Sequence, residues 1–395
     1  MKKLMYCLMA FLACMLSVMP ALADGIPADT NSDNNLTENE LATAIRSYML
    51  GSGDLSLEDL RDAAHVYVYW NGEPKIIVDS TNHTVTIYRP VKRLVAAGGS
   101  YGPEAVLALG AKDKLVGVAS YAKKRAELEL LLEDVPGVGS SINPDVEAIL
   151  ALDPDIVQGY ACFDLSTLRD TLEGASIPLV QLDFSKPERY FEEIRIMGRL
   201  LDKEDRAEEL INFEEQYLNL IAQRVAGLED EQKPKVYMES YGDYQAIGPG
   251  KSGHDILIYC GGVNIFDDIE DTRTVSAEEV VMRNPQVIIK LVSKNSLPES
   301  GYGVTNTTQI EELRNTIVTR PAWDSIDAVK NGRVYIISTD AKSIHGSVYY
   351  SYIAKWLHPN LFEDINPIEI HRDWMETFLG IEYTGVYGYP TNWTE

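Results

Sequence analysis

Tyrosines gather in the short segments that follow apolar runs of this chain: Tyr101 in Gly98-Gly99-Ser100-Tyr101, Tyr121 in Ser120-Tyr121-Ala122-Lys123, Tyr160 close to Phe163, Tyr241 and Tyr244 in one turn, and more around His345 between Lys342 and Tyr350. Amphipathic rings bury area at little entropic cost and still offer a hydroxyl, which suits a large, polar-edged ligand. Tyr101, Tyr121, Tyr160, Phe163, Tyr241, Tyr244 and His345 are therefore the candidate contacts. Lys251 and Arg273 could meet an anionic ligand, although lone cations in an acidic chain read more readily as surface pairs. Different chemistry is written between Asp29 and Glu40. Asp29, Asn31, Asp33, Asn35, Thr37 and Glu40 set oxygen donors at the alternating loop positions that a hard cation needs for its six or more oxygens, so calcium is the expected cofactor. Asn34 stands where such loops usually carry glycine, and asparagine is among the few residues that tolerate the left-handed backbone required there.

Two further motifs point to enzymes and lose. Gly98-Gly99-Ser100-Tyr101-Gly102 satisfies the G-x-S-x-G pattern of a serine hydrolase, and Ser100, Asp340 and His345 follow the matching chain order. Against it, no glycine-rich oxyanion segment lies upstream, and Pro103 at the helix start fits a plain strand-to-helix turn. Gly248-Pro249-Gly250-Lys251-Ser252 lacks the first glycine of a phosphate loop, since Gln245 stands there. The six histidines are scattered without ligand spacing, so binding of bare zinc or manganese is not expected. An adhesion protein built around the calcium loop is the remaining rival; it predicts no small ligand at all.

The 395 residues carry 60 acidic against 35 basic side chains, a net charge of −25, which makes nucleic acid and anionic lipid poor partners. Hydrophobic residues at 45% and charged residues at 24% are ordinary for packed globular chains. Lys2-Lys3, the apolar run to Met19 and Ala21-Leu22-Ala23 read as a secretory signal peptide over residues 1–23. An uncleaved anchor is disfavoured because the apolar core is short of the roughly 20 residues a bilayer needs, and a lipoprotein reading through Cys14 would leave it shorter still. The expectation is an exported chain, with which four Asn-x-Ser/Thr sequons (Asn35, Asn82, Asn306, Asn392) are compatible. Cys162 and Cys260 are expected in different lobes, making a disulfide between them improbable.

The elements that must position these residues follow from periodicity. A small α+β module spans residues 24–89: the calcium-type loop, an exiting helix through Leu41, Ala44, Ile45 and Tyr48, then strands at Val66 to Trp70, Lys75 to Asp79 and Thr84 to Tyr88. From residue 90, β-rich runs alternate with helices, the pattern of α/β units on parallel sheets. Strands are expected at Arg93 to Ala97, Lys114 to Val118, Asp155 to Gln158, Pro178 to Leu182, Lys235 to Met238, Gln286 to Lys290 and Arg333 to Ile337. Glu147 to Pro154 recurs as Glu278 to Pro285, each a helix, a proline stop and a buried strand. Between the copies, Glu204 to Leu228 carries Leu210, Phe213, Tyr217, Leu220, Ile221, Arg224 and Leu228 on one helical face. The expected plan is two α/β lobes, residues 90–203 and 233–362, joined by a long helix in 204–232 and followed by a C-terminal extension, 363–395. A ligand would sit between the lobes, at the C-terminal ends of the strands.

With Arg93 to Ala97, Gly98 to Gly110, Leu115 to Val118, the paired Glu-x₆-Pro segments, Cys260-Gly261-Gly262-Val263-Asn264-Ile265-Phe266, and Trp323 followed by Gly332 to Tyr335, the chain over about residues 90–362 resembles the periplasmic-binding-protein family that serves importers of iron complexes and cobalamin. The resemblance implies two α/β lobes on a rigid interlobe helix, no catalysis, and delivery of a bulky metal chelate, with a ferric siderophore, a cobalamin-like corrinoid and haem all open, to an ABC permease with its ATPase. It also implies that Glu147 and Glu278 dock with permease arginines, where the plain account is first-turn glutamates favoured by the helix dipole. The N-terminal loop resembles an EF-hand and the single loops of dockerin-like modules.

Overall fold

The computed structural model describes residues 25–184, 187–342 and 344–391. The signal-peptide segment and the Asn392 sequon lie outside them. Two helices come first among the described residues, α1 (Glu38–Met49) and α2 (Leu57–Tyr69), each started by a capping box, Thr37 with Glu40 and Ser56 with Asp59. The strand expected at Val66 to Trp70 is the last turn of α2 instead. Its aromatic and β-branched residues look extended in isolation, but the cap at Ser56 starts a helix whose Leu60, Ala63 and Val66 face the core. A hairpin follows, β1 (Lys75–Val78) with β2 (Thr84–Ile87). The module is fastened to the body by buried polar contacts. Trp70 Nε1 and Lys75 Nζ both donate to Asp202, at 2.7 and 2.6 Å, and Arg169 reaches the fully buried Asp79 at 3.2 Å.

The N-terminal lobe holds β3 (Leu94–Ala96), α3 (Tyr101–Ala108), β4 (Leu115–Val118), α4 (Ala126–Leu131), α5 (Val146–Ala151), β5 (Ile156–Tyr160), α6 (Ser166–Glu173), β6 (Leu179–Leu182) and α7 (Pro187–Leu201). Its four strands form one parallel sheet in the order β4-β3-β5-β6. Covered on both faces by helices, these strands are almost wholly buried, which is why they read as continuous apolar runs. Helix α8 (Glu204–Val225) then runs for 22 residues, roughly 33 Å at 1.5 Å per residue. It contains neither glycine nor proline, and Glu204 and Asp205 at its start and Arg224 at its end complement its dipole.

The C-terminal lobe contains β7 (Lys235–Glu239), β8 (Gln245–Ile247), α9 (Ser252–Tyr259), β9 (Val263–Asn264), β10 (Thr272–Thr274), α10 (Ala277–Arg283), β11 (Val287–Val292), β12 (Gly301–Tyr302), α11 (Thr308–Val318), α12 (Asp327–Lys330), β13 (Val334–Ser338) and α13 (Gly346–Leu357). Its sheet runs β10-β8-β7-β11-β13-β15, parallel through β7, β11 and β13 and antiparallel at both edges. The final segment supplies α14 (Pro367–Trp374), a π-helical turn at Met375–Leu379, β14 (Gly385–Val386) against β12, and β15 (Gly388–Tyr389). This tail also reaches the other lobe: Phe378 and Leu379 lie beside Leu107, Leu115 and Val135, and Arg206 on α8 donates to the Thr377 carbonyl while its Nε reaches Ala108 O at 3.1 Å.

The two Glu-x₆-Pro copies share their geometry. Asp145 and Ser276 cap α5 and α10 through the N–H three residues on. Asp153 and Asn284, each just before its proline, take a left-handed φ of 45° and 41°. Asparagine and aspartate are the residues that tolerate that conformation, and proline forbids continuing the helix. Cys162 is exposed, Cys260 is buried, and no disulfide joins them. Among the described residues no helix is long and apolar enough to cross a membrane.

Candidate ligand-binding site

The loops at the C-terminal ends of the strands face each other across the lobes and enclose a cavity of about 330 Å³. Ser100, Tyr101, Tyr121 and Arg125 come from one lobe; Tyr241, Ile256, Leu291, Asp340, Lys342 and Tyr349 come from the other. The glycines of the Gly98-to-Gly102 turn exist for packing, because a Cβ at either end would collide with the Gln158 amide, which accepts the Gly98 N–H at 3.2 Å. Ser100 precedes α3 without capping it, and no hydrogen bond joins its hydroxyl to His345 among the described residues. His345 instead sets Nδ1 3.2 Å from Glu104 and packs its ring against Trp374 and His371.

Beneath the phenols lies a buried charged cluster. Arg125, 8% exposed, bonds Glu104 at 2.8 Å, grips Glu127, and crosses the lobes to the Asp340 carbonyl at 3.2 Å. Burial works against its charge, but Glu104 and Glu127 outweigh burial and hold its pKa above the ordinary arginine value. Burial raises the Asp340 carboxyl, which Arg125 only partly offsets. Burial likewise pushes the Tyr101 phenol up to about 12, so the ring meets a ligand protonated. The cavity therefore offers phenol hydroxyls, the Lys342 ammonium, the Asp340 carboxyl and a guanidinium fixed by Glu104 and Glu127, on partly apolar walls.

The other candidate contacts fall at graded distances from this cavity. Tyr160 stacks obliquely beside Tyr101 at 6.1 Å, and Phe163 sits edge-on to Tyr160 at 5.4 Å, so both stand behind the cavity wall. Tyr244 turns into the C-terminal lobe, with Trp323 at 5.8 Å and the Arg320 guanidinium at 4.3 Å. His345 is buried in the seam between the lobes and the tail. Lys251 and Arg273 form surface pairs with Asp271 and Glu279. Arg125, Glu104 and Asp340 were not singled out as ligand contacts. A carboxylate inside the apolar segment Gly102 to Leu109 was the signal available for Glu104, since a helix buried on all sides keeps a charge only with a partner.

Glu147 and Glu278 stand exposed on the first turns of α5 and α10, one on each lobe, and neither enters an ion pair among the described residues. In the N-terminal loop, Asn34 takes a left-handed φ of 61°. Asp29 accepts the N–H groups of Ser32 and Asn34, and Glu40 accepts from Thr30 and Thr37. Among the described residues no three His, Cys, Asp or Glu side chains gather as a metal group; these carboxylates hold the loop by turns and caps.

A family model for the periplasmic binding protein matches residues 95–341. The chain is 23% identical over 303 residues to the uncharacterized ABC transporter substrate-binding lipoprotein YvrC of Bacillus subtilis, covering 74% of this chain and 88% of that one. It is 27% identical over 213 residues to the high-affinity heme uptake system protein IsdE of Staphylococcus aureus, covering 51% of this chain and 66% of that one. Among solved structures, the TroA-like periplasmic binding protein FepB from Veillonella parvula superposes with a TM-score of 0.70 at 23% identity, over 80% of this chain and 99% of that one. The molybdate-binding protein MolA of Haemophilus influenzae gives 0.62 at 21%, over 79% and 99%. Likeness at these identities carries the two-lobed fold.

Proposed function

Because the chain belongs to the periplasmic binding protein family, we propose that this substrate-binding protein of an ABC importer captures a compact metal chelate between its lobes and presents it to the permease. The observation that carries the reading is the interlobe cavity, to which both lobes contribute phenols and which a buried guanidinium underlies. Its volume of about 330 Å³ stands at the low end of the ~300–1,000 Å³ usual for small-molecule sites, favouring a ferric chelate over a whole corrinoid. A relative named for heme uptake and a structural neighbour bound to molybdate support a metal-bearing anion.

A thermal-shift screen against ferric siderophores, haem, cobinamide and cobalamin tests this. One chelate should raise Tm progressively with its concentration, adding about 2–3 kcal/mol of stability at a hundredfold excess over its Kd. No shift with any of them, in folded protein free of carried-over ligand, would sink the chelate reading.

Docking is assigned to Glu147 and Glu278, the exposed carboxylates of the matched helices. Replacing both by alanine should leave chelate affinity within twofold while transport by the reconstituted importer falls at least tenfold. Unchanged transport would remove them from the docking face. Calcium binding by Asp29, Asn31, Asp33, Asn35, Thr37 and Glu40 is a further part of the proposal, supported by the oxygen donor set and the left-handed Asn34. Glu40 would have to exchange its threonine partners for the ion. Millimolar calcium should then raise Tm in the native chain and have no effect in Asp29→Asn/Glu40→Gln; equal shifts in both would refute it.

A further inference from the structure

A second cavity, about 200 Å³, opens on the α8 side of the same cleft. Its chemistry differs from the first. Phe184, Phe191, Leu218, Tyr259, Ile344 and Tyr350 make the walls, with Tyr190 edge-on to Phe191 at 5.3 Å and Tyr259 edge-on to Tyr350 at 5.1 Å. Among the described residues Lys342 is the one that lines both cavities. Its ammonium donates to Ser252 Oγ at 2.9 Å and forms no ion pair with any described carboxylate. Burial lowers its pKa, and Asp255 only partly offsets this. A cation partly withdrawn from water with no ion-pair partner beside it is costly, and a ligand anion placed there reduces that cost. Glu215 lines the α8 side of the aromatic cavity, so a negative group is driven to the Lys342 end.

From these observations we infer that the ligand is a two-part amphiphile, with an anionic group neutralised by Lys342 and an apolar, aromatic arm seated between the Tyr190–Phe191 and Tyr259–Tyr350 ring pairs. The inference rests on the reading of the interlobe cleft as the ligand site and adds the ligand's layout to it. Lys342 is then a specificity-determining residue, and the cleft recognises the two ends of the ligand by different forces: charge at the partition, dispersion and ring contact beyond it.

The test uses two fluorescent probes that differ in one group, 8-anilinonaphthalene-1-sulfonate and the uncharged N-phenyl-1-naphthylamine, titrated into the full chain. The sulfonate probe should bind the native protein more tightly than the neutral one. Lys342→Met should weaken the sulfonate at least tenfold and change the neutral probe less than twofold. Lys342→Arg, which keeps the charge and guards against loss of fold, should retain most of the sulfonate affinity. Equal losses for both probes, an unchanged sulfonate affinity in Lys342→Met, or no sulfonate binding to the native protein would each overturn the inference. If the probe pair discriminates while no metal chelate binds, the chelate reading fails and the two-part layout stands.

Discussion

Arg125→Met should lower Tm on the order of 10 °C and abolish measurable chelate binding. The guanidinium neutralises two carboxylates that are themselves buried, Glu104 fully and Glu127 nearly so. Removing one partner of a buried ion pair typically costs about 3–5 kcal/mol, because the remaining charge keeps its desolvation penalty. At a few degrees per kcal/mol this gives the stated shift. The same side chain lines the cavity and ties the lobes through the Asp340 carbonyl, so binding and stability fail together. The triple variant Arg125→Met/Glu104→Gln/Glu127→Gln separates the two effects. It should recover most of the lost Tm, since neutral amides carry no orphaned charge, but recover no chelate affinity. A triple variant as unstable as the single one would show that Arg125 acts through shape and not through charge.

Glu214→Gln should stabilise the protein at alkaline pH and leave it nearly unchanged at pH 5. Glu214 lies fully buried on α8, accepts the Ser347 N–H at 2.8 Å, and burial pushes its carboxyl up to about 8 from an ordinary 4.5. The folded state therefore holds a proton that the unfolded chain releases between those two values. Stability contributed by the protonated form is intact below pH 4.5 and falls as pH rises to about 8, at a little over 1 kcal/mol per pH unit, on the order of 5 kcal/mol in all. Glutamine keeps the acceptor for Ser347 and has nothing to ionise. Urea denaturation of both proteins at pH 5 and pH 8.5 measures the difference directly. Parallel pH curves would show that Glu214 is already ionised in the fold, stabilised by its neighbours.

Much of the architecture was legible because parallel strands covered on both faces are written as apolar runs. Each of the seven strands expected in the body falls on an observed strand. The matched helices were legible through proline, which ends both at the same distance from a glutamate. The antiparallel edges were not, since β8, β10 and β15 are short and half-polar and take their pairing from neighbours distant in sequence. Trp70 illustrates the opposite error, an aromatic run read locally when the helix had already been started at Ser56. At the site, loops after strands led to Tyr101, Tyr121 and Tyr241, which line the cavity. The charged cluster was hidden because its logic is spatial: Arg125 meets Asp340 across 215 positions of chain. Tyr244 shows the limit of reading by type, as the left-handed φ of 58° at that residue turns its ring to Trp323.

The tail past residue 363 lies against Leu107 and Val135 in one lobe and then pairs with β13 in the other, so the lobes are linked along α8 and again through the tail. A pair of bodies joined by a single rod can bend in any direction. Linked again by a tail that Arg206 on α8 also holds at the Thr377 carbonyl, they lose part of that freedom.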